Sequence, residues 1–98
     1  MVMRLNEAIS RLRARQADLK RLGVEGLYVF GSTARDDARA DSDIDLFFDY
    51  EGRFGLFDLL SVKELAAEIL GTHTDIMTRG SLHPLIRNRA EGEALRVF

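Results

Sequence analysis

Apolar residues near the start of the chain recur every three or four positions, the pattern of a helix with one buried face. This pattern predicts a helix over residues 5–22 that ends at Gly23. Arg15 and Gln16 stand where the stripe should be apolar. We therefore expect thinner burial at the middle of this helix.

A second apolar stripe predicts a helix from Leu56 to Leu70 that is closed by Gly71. A last helix is predicted to start around residues 81–84, because Pro84 is tolerated in a first helical turn. His83 is then a helix-start residue and His73 a strand residue, and we interpret neither as a metal ligand.

Short β-rich segments separate these helices, and they predict strands over residues 26–30, 43–49, 72–78 and 94–98. Gly31 ends the first strand, and a short helix capped by Ser32 or Thr33 is expected to follow directly. The alternation of helices and strands predicts an α/β (α+β) fold in which a small mixed β-sheet is flanked by helices. With 98 residues, we expect one domain over residues 1–98.

The composition is that of an ordinary globular protein, with 46% hydrophobic and 31% charged residues. We expect no membrane association and a cytoplasmic location, because the sequence lacks an apolar run of the roughly 20 residues that a span needs and also lacks a secretory signal. The absence of cysteine excludes disulfides and thiolate metal sites. Carboxylates and two histidines are left as metal ligands.

The net charge of −2 hides a basic first helix and an acidic segment over residues 36–51. A basic helix could bind nucleic acid or an acidic partner, but we interpret this one as a solvated helix face. The acidic segment differs, because Asp43 and Asp45 are two residues apart on a predicted strand and therefore share one face.

Two carboxylates so placed repel each other by roughly 3 kcal/mol at an effective dielectric near 20. A bound cation would relieve that repulsion, and hard oxygen ligands suit Mg²⁺ or Mn²⁺. Asp75, on the next predicted strand, could complete the metal site if the two strands are neighbours. The alternatives are an edge strand that shows its acids to water and, for Asp75, a surface acid near a strand end.

Gly31 and Ser32 are candidates for binding phosphate, because a residue without a Cβ stands next to a hydroxyl where a helix begins. A glycine before a short helix is weak evidence by itself. Its combination with a cation site on neighbouring strands is stronger, because a metal-bound triphosphate needs both.

The segments Gly-Ser-Thr-Ala-Arg at 31–35 and Asp-Ser-Asp-Ile-Asp-Leu at 41–46 resemble the signature of the DNA polymerase beta-like nucleotidyltransferase superfamily. The segment at 73–78 is similar to the strand that carries that superfamily's third carboxylate. The small size and the Leu-His-Pro segment at 82–84 look most like the minimal nucleotidyltransferase (MNT) branch.

This resemblance implies the nucleotidyltransferase fold and a Mg²⁺-dependent (or Mn²⁺-dependent) transfer of AMP from ATP to a protein hydroxyl. Asp43 and Asp45 would hold two divalent ions about 3.5 to 4 Å apart, and Asp75 would bind the second ion and help to remove the acceptor proton. The phosphates would be bound by Gly31, Ser32 and Arg35.

MNT proteins of this size resemble the antitoxins of HEPN/MNT toxin-antitoxin pairs, which implies a helical HEPN toxin as partner. Arg87, Arg89 and the basic first helix are candidate contacts, although each also fits a solvated surface. Two alternatives stay open: an antitoxin that neutralises its partner by binding alone, and a transferase for a small acceptor such as an aminoglycoside, which would need a homo-oligomer to complete its pocket.

The sequence departs from the family at one position. Many members have glycine directly after the arginine, where this chain has Asp36. Aspartate tolerates turn conformations better than most residues. Its negative charge, however, could weaken the binding of a triphosphate.

Overall fold

The structure, a computed structural model, describes residues 3–39 and 42–98. Its elements are helices α1 (Leu5–Ala14), α2 (Gln16–Arg21), α3 (Gly31–Ala34), α4 (Leu56–Leu70) and α5 (Pro84–Glu93), a 3-10 turn (Arg79–Ser81), and strands β1 (Val24–Phe30), β2 (Ile44–Tyr50), β3 (Thr74–Thr78) and β4 (Leu95–Arg96). Among these described residues, no helix is long and apolar enough to span a membrane.

The four strands form one mixed sheet in the order β3-β2-β1-β4. Strand β1 pairs antiparallel with both β2 and β4. Strand β3 returns through α4 and pairs parallel with β2, as a strand-helix-strand crossover allows. The predicted small mixed sheet flanked by helices is confirmed.

Alternation along β2 divides the core between the two faces of the sheet. Ile44, Leu46 and Phe48 belong to the larger cluster, which contains the buried residues of α1, α2 and α4. Phe47 points to the opposite face, where it packs with Phe30 and the α5 side of the fold. The predicted alternation of this strand is confirmed, and the face that carries Phe47 is also that of Asp45.

The prediction of one helix over residues 5–22 is wrong, because the chain breaks at Arg15 into α1 and α2. The break falls where the apolar stripe is interrupted, so no apolar side chain holds that turn in the core. Arg15 leaves helical geometry, with φ −111° and ψ 20°. Its Nε instead donates to Asp18 at 2.7 Å. The strands also differ by a few residues at their ends: β1 begins at Val24, and β4 has only two residues.

Arg79 ties α5 to the sheet. Its guanidinium donates to both carboxylate oxygens of Asp49, at 2.8 and 3.0 Å, and to Glu91 of α5 at 2.7 Å. It also lies over the rings of Tyr28 and Phe47, 4.9 and 4.8 Å from their centroids. The hydrogen bonds that Arg79 donates to Asp49 and Glu91 raise its pKa above the ordinary value. This junction fixes α5 beside the face of β2 that carries Asp45.

Candidate active site

The turn from β1 into α3 requires glycine for two separate reasons. Gly31 has a φ of +72°, in the left-handed region that favours glycine. A Cβ built on it would overlap Oδ2 of Asp45 and lie 3.2 Å from Cγ of that residue. The close approach of the Gly31 backbone to the Asp45 carboxylate therefore leaves no room for a Cβ.

The predicted helix cap is wrong, because α3 begins at Gly31 itself. Its N-cap is Phe30, which makes no side-chain capping bond. Ser32 and Thr33 consequently lie within the helix. Ser32 lies next to Gly31, as expected, and lines a cleft together with Gly31 and Asp45.

Asp45 and Asp75 occupy matched positions on neighbouring parallel strands, as their Cα atoms are register partners. Matched residues of paired strands project from the same face of the sheet, within about 5.5 Å of each other. The condition on which the candidate role of Asp75 depended, that the third strand lies beside the second, is therefore met. Asp43 lies one residue before the start of β2. Asp43 and Asp75 are exposed, whereas Asp45 is partly buried.

Asp45 is the carboxylate with the most perturbed environment. Its pKa is raised to about 6, first by burial and then by the negative charges of Asp75 and Asp43. Glu93 raises it further, and only Arg35 acts in the opposite direction. A strongly shifted carboxyl group in a cleft is a mark of a functional site. A bound cation would relieve the electrostatic repulsion among these carboxylates.

The chemistry of these side chains fits a hard divalent cation such as Mg²⁺ or Mn²⁺, since all three offer carboxylate oxygens. Within residues 3–39 and 42–98, no three histidine, aspartate or glutamate side chains are gathered closely enough to hold a metal ion as they stand. The structure therefore brings Asp45 into register with Asp75 and near Asp43 without forming a closed coordination sphere.

The two histidines make other contacts. His83 is the N-cap of α5, and its Nδ1 accepts a hydrogen bond from the Leu85 N–H at 3.1 Å. The predicted helix-start role of His83 is confirmed. His73 lies immediately before β3, and its carbonyl accepts the Ile44 N–H at 3.1 Å, which extends the pairing of β2 with β3.

A cleft of about 340 Å³ joins the glycine turn, Asp45 and α5. It is lined by Phe30, Gly31, Ser32, Arg35, Asp45, Ile86, Arg89, Ala90 and Glu93. Four of the predicted site residues are in this lining, whereas Asp43 and Asp75 are not. A larger cleft, of about 510 Å³, lies at the opposite end of β1 beside Lys20 and Glu51, away from every predicted site residue.

Sequence reasoning missed Glu93 as a site residue. Its Oε1 accepts the backbone N–H of Gly31 at 3.1 Å and Arg35 Nη1 at 3.1 Å, and its Oε2 accepts the same Arg35 nitrogen at 3.0 Å. The hydrogen bonds that Arg35 donates to Glu93 and Asp37 raise its pKa. Nothing local marks Glu93 as part of the site, because its position depends on how α5 docks on the sheet.

Asp36 adopts the geometry that glycine would favour, with a φ of 59°. Its carboxylate faces Arg4 at 3.7 Å in an exposed ion pair. It lies outside the cleft lining and is not among the charges that shift the pKa of Asp45. Asp41, the first residue of the second motif, falls outside the described residues.

The sheet thus presents register-matched carboxylates, which suit a hard divalent cation, beside a glycine turn whose backbone a ligand can approach closely. Residues 9–97 match the nucleotidyltransferase domain family, and the chain belongs to that family. It is therefore a nucleotidyltransferase. Comparison with individual proteins supports the MNT type within it.

Two relatives and two solved structures illustrate the likeness. The chain is 37% identical over 76 residues to MJ0435 of Methanocaldococcus jannaschii, which is provisionally named a protein adenylyltransferase; the match covers 78% of this chain and 82% of that protein. It is 34% identical over 82 residues to the protein adenylyltransferase MntA of Thermococcus cleftensis, covering 83% of each.

A solved structure provisionally described as a minimal nucleotidyltransferase superposes with a TM-score of 0.82, at 34% identity, and covers 95% of each chain. A chain of a toxin-antitoxin crystal structure with AMP-PNP superposes with a TM-score of 0.69 at 16% identity, covering 88% of this chain and 72% of that one. The second likeness shows a shared fold.

Proposed function

We propose that this enzyme transfers AMP from ATP to a hydroxyl group of a protein. The observation that carries the proposal is the position of Asp45, which is register-matched with Asp75 on one side and in contact with the Gly31 backbone on the other. This arrangement brings candidate metal ligands and a candidate phosphate-binding backbone to the same point. Relatives named protein adenylyltransferases support AMP as the group transferred and protein as the acceptor.

Asp43, Asp45 and Asp75 would together hold Mg²⁺ or Mn²⁺, which when bound neutralises charge on the triphosphate. The Gly31 N–H and the Ser32 hydroxyl donate to the β and γ phosphates. Arg35 balances charge that develops on the phosphates during transfer.

The acceptor hydroxyl oxygen forms a bond to the α phosphorus, and the bond from that phosphorus to the bridging oxygen breaks, so pyrophosphate leaves. The hydroxyl proton passes to Asp75, which lies on β3 and is exposed. No change in oxidation state is involved. Exposure suits this role because the carboxylate must meet an acceptor that arrives from another molecule.

The partner in this proposal is a HEPN-type toxin, modified by the enzyme as its antitoxin in the cytoplasm. Likeness to the MNT branch and the fold shared with a toxin-antitoxin chain support this assignment. Leu85 and Ile86, with 87% and 45% exposure, present apolar surface at the start of α5, and Ile86 also lines the cleft. A protein acceptor could cover that surface as its hydroxyl enters.

The test is label transfer from α-labelled ATP to the protein encoded by the neighbouring gene, in the presence of Mg²⁺. We expect label on the partner, loss of label with Asp43→Asn, and retention with Glu64→Gln, an exposed carboxylate on α4. Labelling that survives Asp43→Asn, or that arises equally from γ-labelled ATP, would contradict the proposal.

A second measurement separates catalysis from simple binding. This chain should protect cells that express the toxin, and the variant Asp43→Asn/Asp45→Asn should lose that protection while still binding the toxin. Full protection by the double variant would instead support neutralisation by occlusion.

A further inference from the structure

The cleft already contains an anion supplied by the chain itself. Glu93 is the last residue of α5, and its side chain is only 20% exposed. Its carboxylate accepts hydrogen bonds from the Gly31 N–H and from Arg35, at 3.0 to 3.1 Å. These are two of the groups to which the proposed function gives phosphate.

We propose that Glu93 acts as an internal competitor that occupies the phosphate subsite until a nucleotide displaces it. This inference rests on the proposed function. The Gly31 N–H has one hydrogen to donate, so it cannot serve both Glu93 and a phosphate oxygen with good geometry. A carboxylate resembles phosphate in charge and in its acceptor oxygens, which explains why it can fill the same place.

A purely structural role for Glu93 explains less of the geometry. A carboxylate that only oriented Arg35 could do so from many positions on α5. Glu93 also takes the backbone N–H of the glycine turn. It further adds negative charge beside Asp45, where it raises the pKa of that group. The hydrogen bond places the carboxylate where a phosphate oxygen would lie, and repulsion from Asp45 weakens its hold there, so a triphosphate can displace it.

Displacement needs little backbone motion. The residues after Glu93 are held by β4, since Leu95 pairs with Val29 and Arg96 with Tyr28 of β1. The side chain alone can rotate, and a second partner is close: Arg89 Nε lies 4.0 Å from Glu93 Oε2, on an arginine side chain that is 73% exposed. Arg89 can therefore receive the carboxylate that leaves Gly31 and Arg35.

The test measures nucleotide affinity with Glu93→Gln, which keeps the shape of the side chain and removes its charge. The probes are ATP with Mg²⁺ and inorganic tripolyphosphate without it, titrated by calorimetry. We expect both to bind about five- to tenfold more tightly to the variant, the size expected when a partly exposed charged competitor is removed. Unchanged or weaker binding of both probes would overturn the inference.

Glu7→Gln is the matched control, because Glu7 is also a glutamate paired with an arginine, Arg11, but lies on α1, outside the lining of this cleft. It should leave both affinities unchanged. Glu93→Asp provides a second variant if Glu93→Gln folds poorly: its shorter side chain cannot reach Gly31 and Arg35 together, so it too should bind the probes more tightly. If the wild type binds the probes and no Glu93 variant binds them more tightly, the competitor role of Glu93 is refuted and the proposed function is not. No binding by any variant refutes the proposed function as well.

Discussion

Gly31 and Asp45 lie so close that the Asp45 carboxylate occupies the space that a Cβ on residue 31 would need. The contact joins the end of β1 to the second residue of β2, whose register places Phe30 opposite Asp45. Because Gly31 also has a left-handed φ, any other residue there meets both backbone strain and a steric clash.

Gly31→Ala should therefore cost stability and remove ATP binding together. Gly52→Ala is a matched control, since Gly52 has the same φ of +72° with nothing within 4 Å of the added Cβ. We expect Gly52→Ala to cost about 1 kcal/mol, from the left-handed φ alone. Gly31→Ala should cost clearly more, as measured by urea unfolding, and should fail to bind ATP. Equal costs would contradict the tight contact with Asp45.

The raised pKa of Asp45 predicts a pH-dependent gain from Asp45→Asn in the absence of divalent cations. The pKa of the group is about 6 in the folded protein, against an ordinary 3.8. Ionisation of Asp45 therefore costs the folded protein more than it costs the unfolded chain. This cost is absent well below pH 3.8, where the group is protonated in both states, and it is complete once the pH exceeds the folded pKa.

At pH 8 Asp45→Asn should be more stable than the wild type by about 1 kcal/mol, a value reduced for solvent screening of a partly exposed group. The gain should shrink between pH 6 and pH 4, as measured by thermal unfolding. Glu64→Gln, which removes an exposed carboxylate of α4, should show no such trend. A constant gain at every pH would show that ionisation of Asp45 is not its source.

Divalent cations should make the wild type more stable than Asp45→Asn, the reverse of the order expected without them. A ligand that binds only the folded state stabilises it by about 2.7 kcal/mol at a hundred times its dissociation constant. We expect Mg²⁺ or Mn²⁺ to raise the Tm of the wild type, and to raise it much less in Asp43→Asn, Asp45→Asn and Asp75→Asn. Sodium chloride at equal ionic strength controls for general screening. An equal rise in Tm for all four proteins would exclude these carboxylates as the metal site.

Local patterns in the sequence were sufficient for much of the fold. Alternation along β2 predicted which of its side chains enter the core. The sequence left open whether β3 would lie beside β2; the structure pairs the two strands and so sets Asp75 beside Asp45. Gly31 was singled out as a residue without a Cβ at the start of a short helix, whereas its left-handed φ and its tight contact with Asp45 are features that the structure adds.

Other features depend on tertiary packing, which periodicity does not encode. The break at Arg15 marks a weak point in the apolar stripe, but whether a helix bends, continues or ends there depends on what it packs against. Glu93 reaches the site only because Arg79 anchors α5 to the sheet through Glu91 and Asp49. Sequence reasoning therefore singled out the carboxylates and the glycine turn as candidates and missed the residue that bridges the turn to α5.

The positive φ of Asp36 gives a last prediction about the one departure from the family pattern. A left-handed conformation disfavours a residue with a Cβ, but aspartate and asparagine tolerate it better than most. Asp36→Asn should then keep the stability of the wild type within about 0.5 kcal/mol, whereas Asp36→Ala should lose about 1 kcal/mol. Urea unfolding of the two variants measures the difference.

The charge of Asp36 should matter much less than its backbone. The carboxylate pairs with Arg4, lies outside the cleft lining and does not shift the pKa of Asp45, so its field at the phosphate subsite is weak. We expect the affinity of Asp36→Asn for ATP with Mg²⁺ to stay within about twofold of the wild type, the limit expected for an exposed and screened charge. Asp36→Gly, which restores the residue common in the family, should give the same result. A severalfold tightening in both variants would instead mean that the aspartate charge restrains nucleotide binding, and a tightening in Asp36→Gly alone would assign that restraint to the backbone.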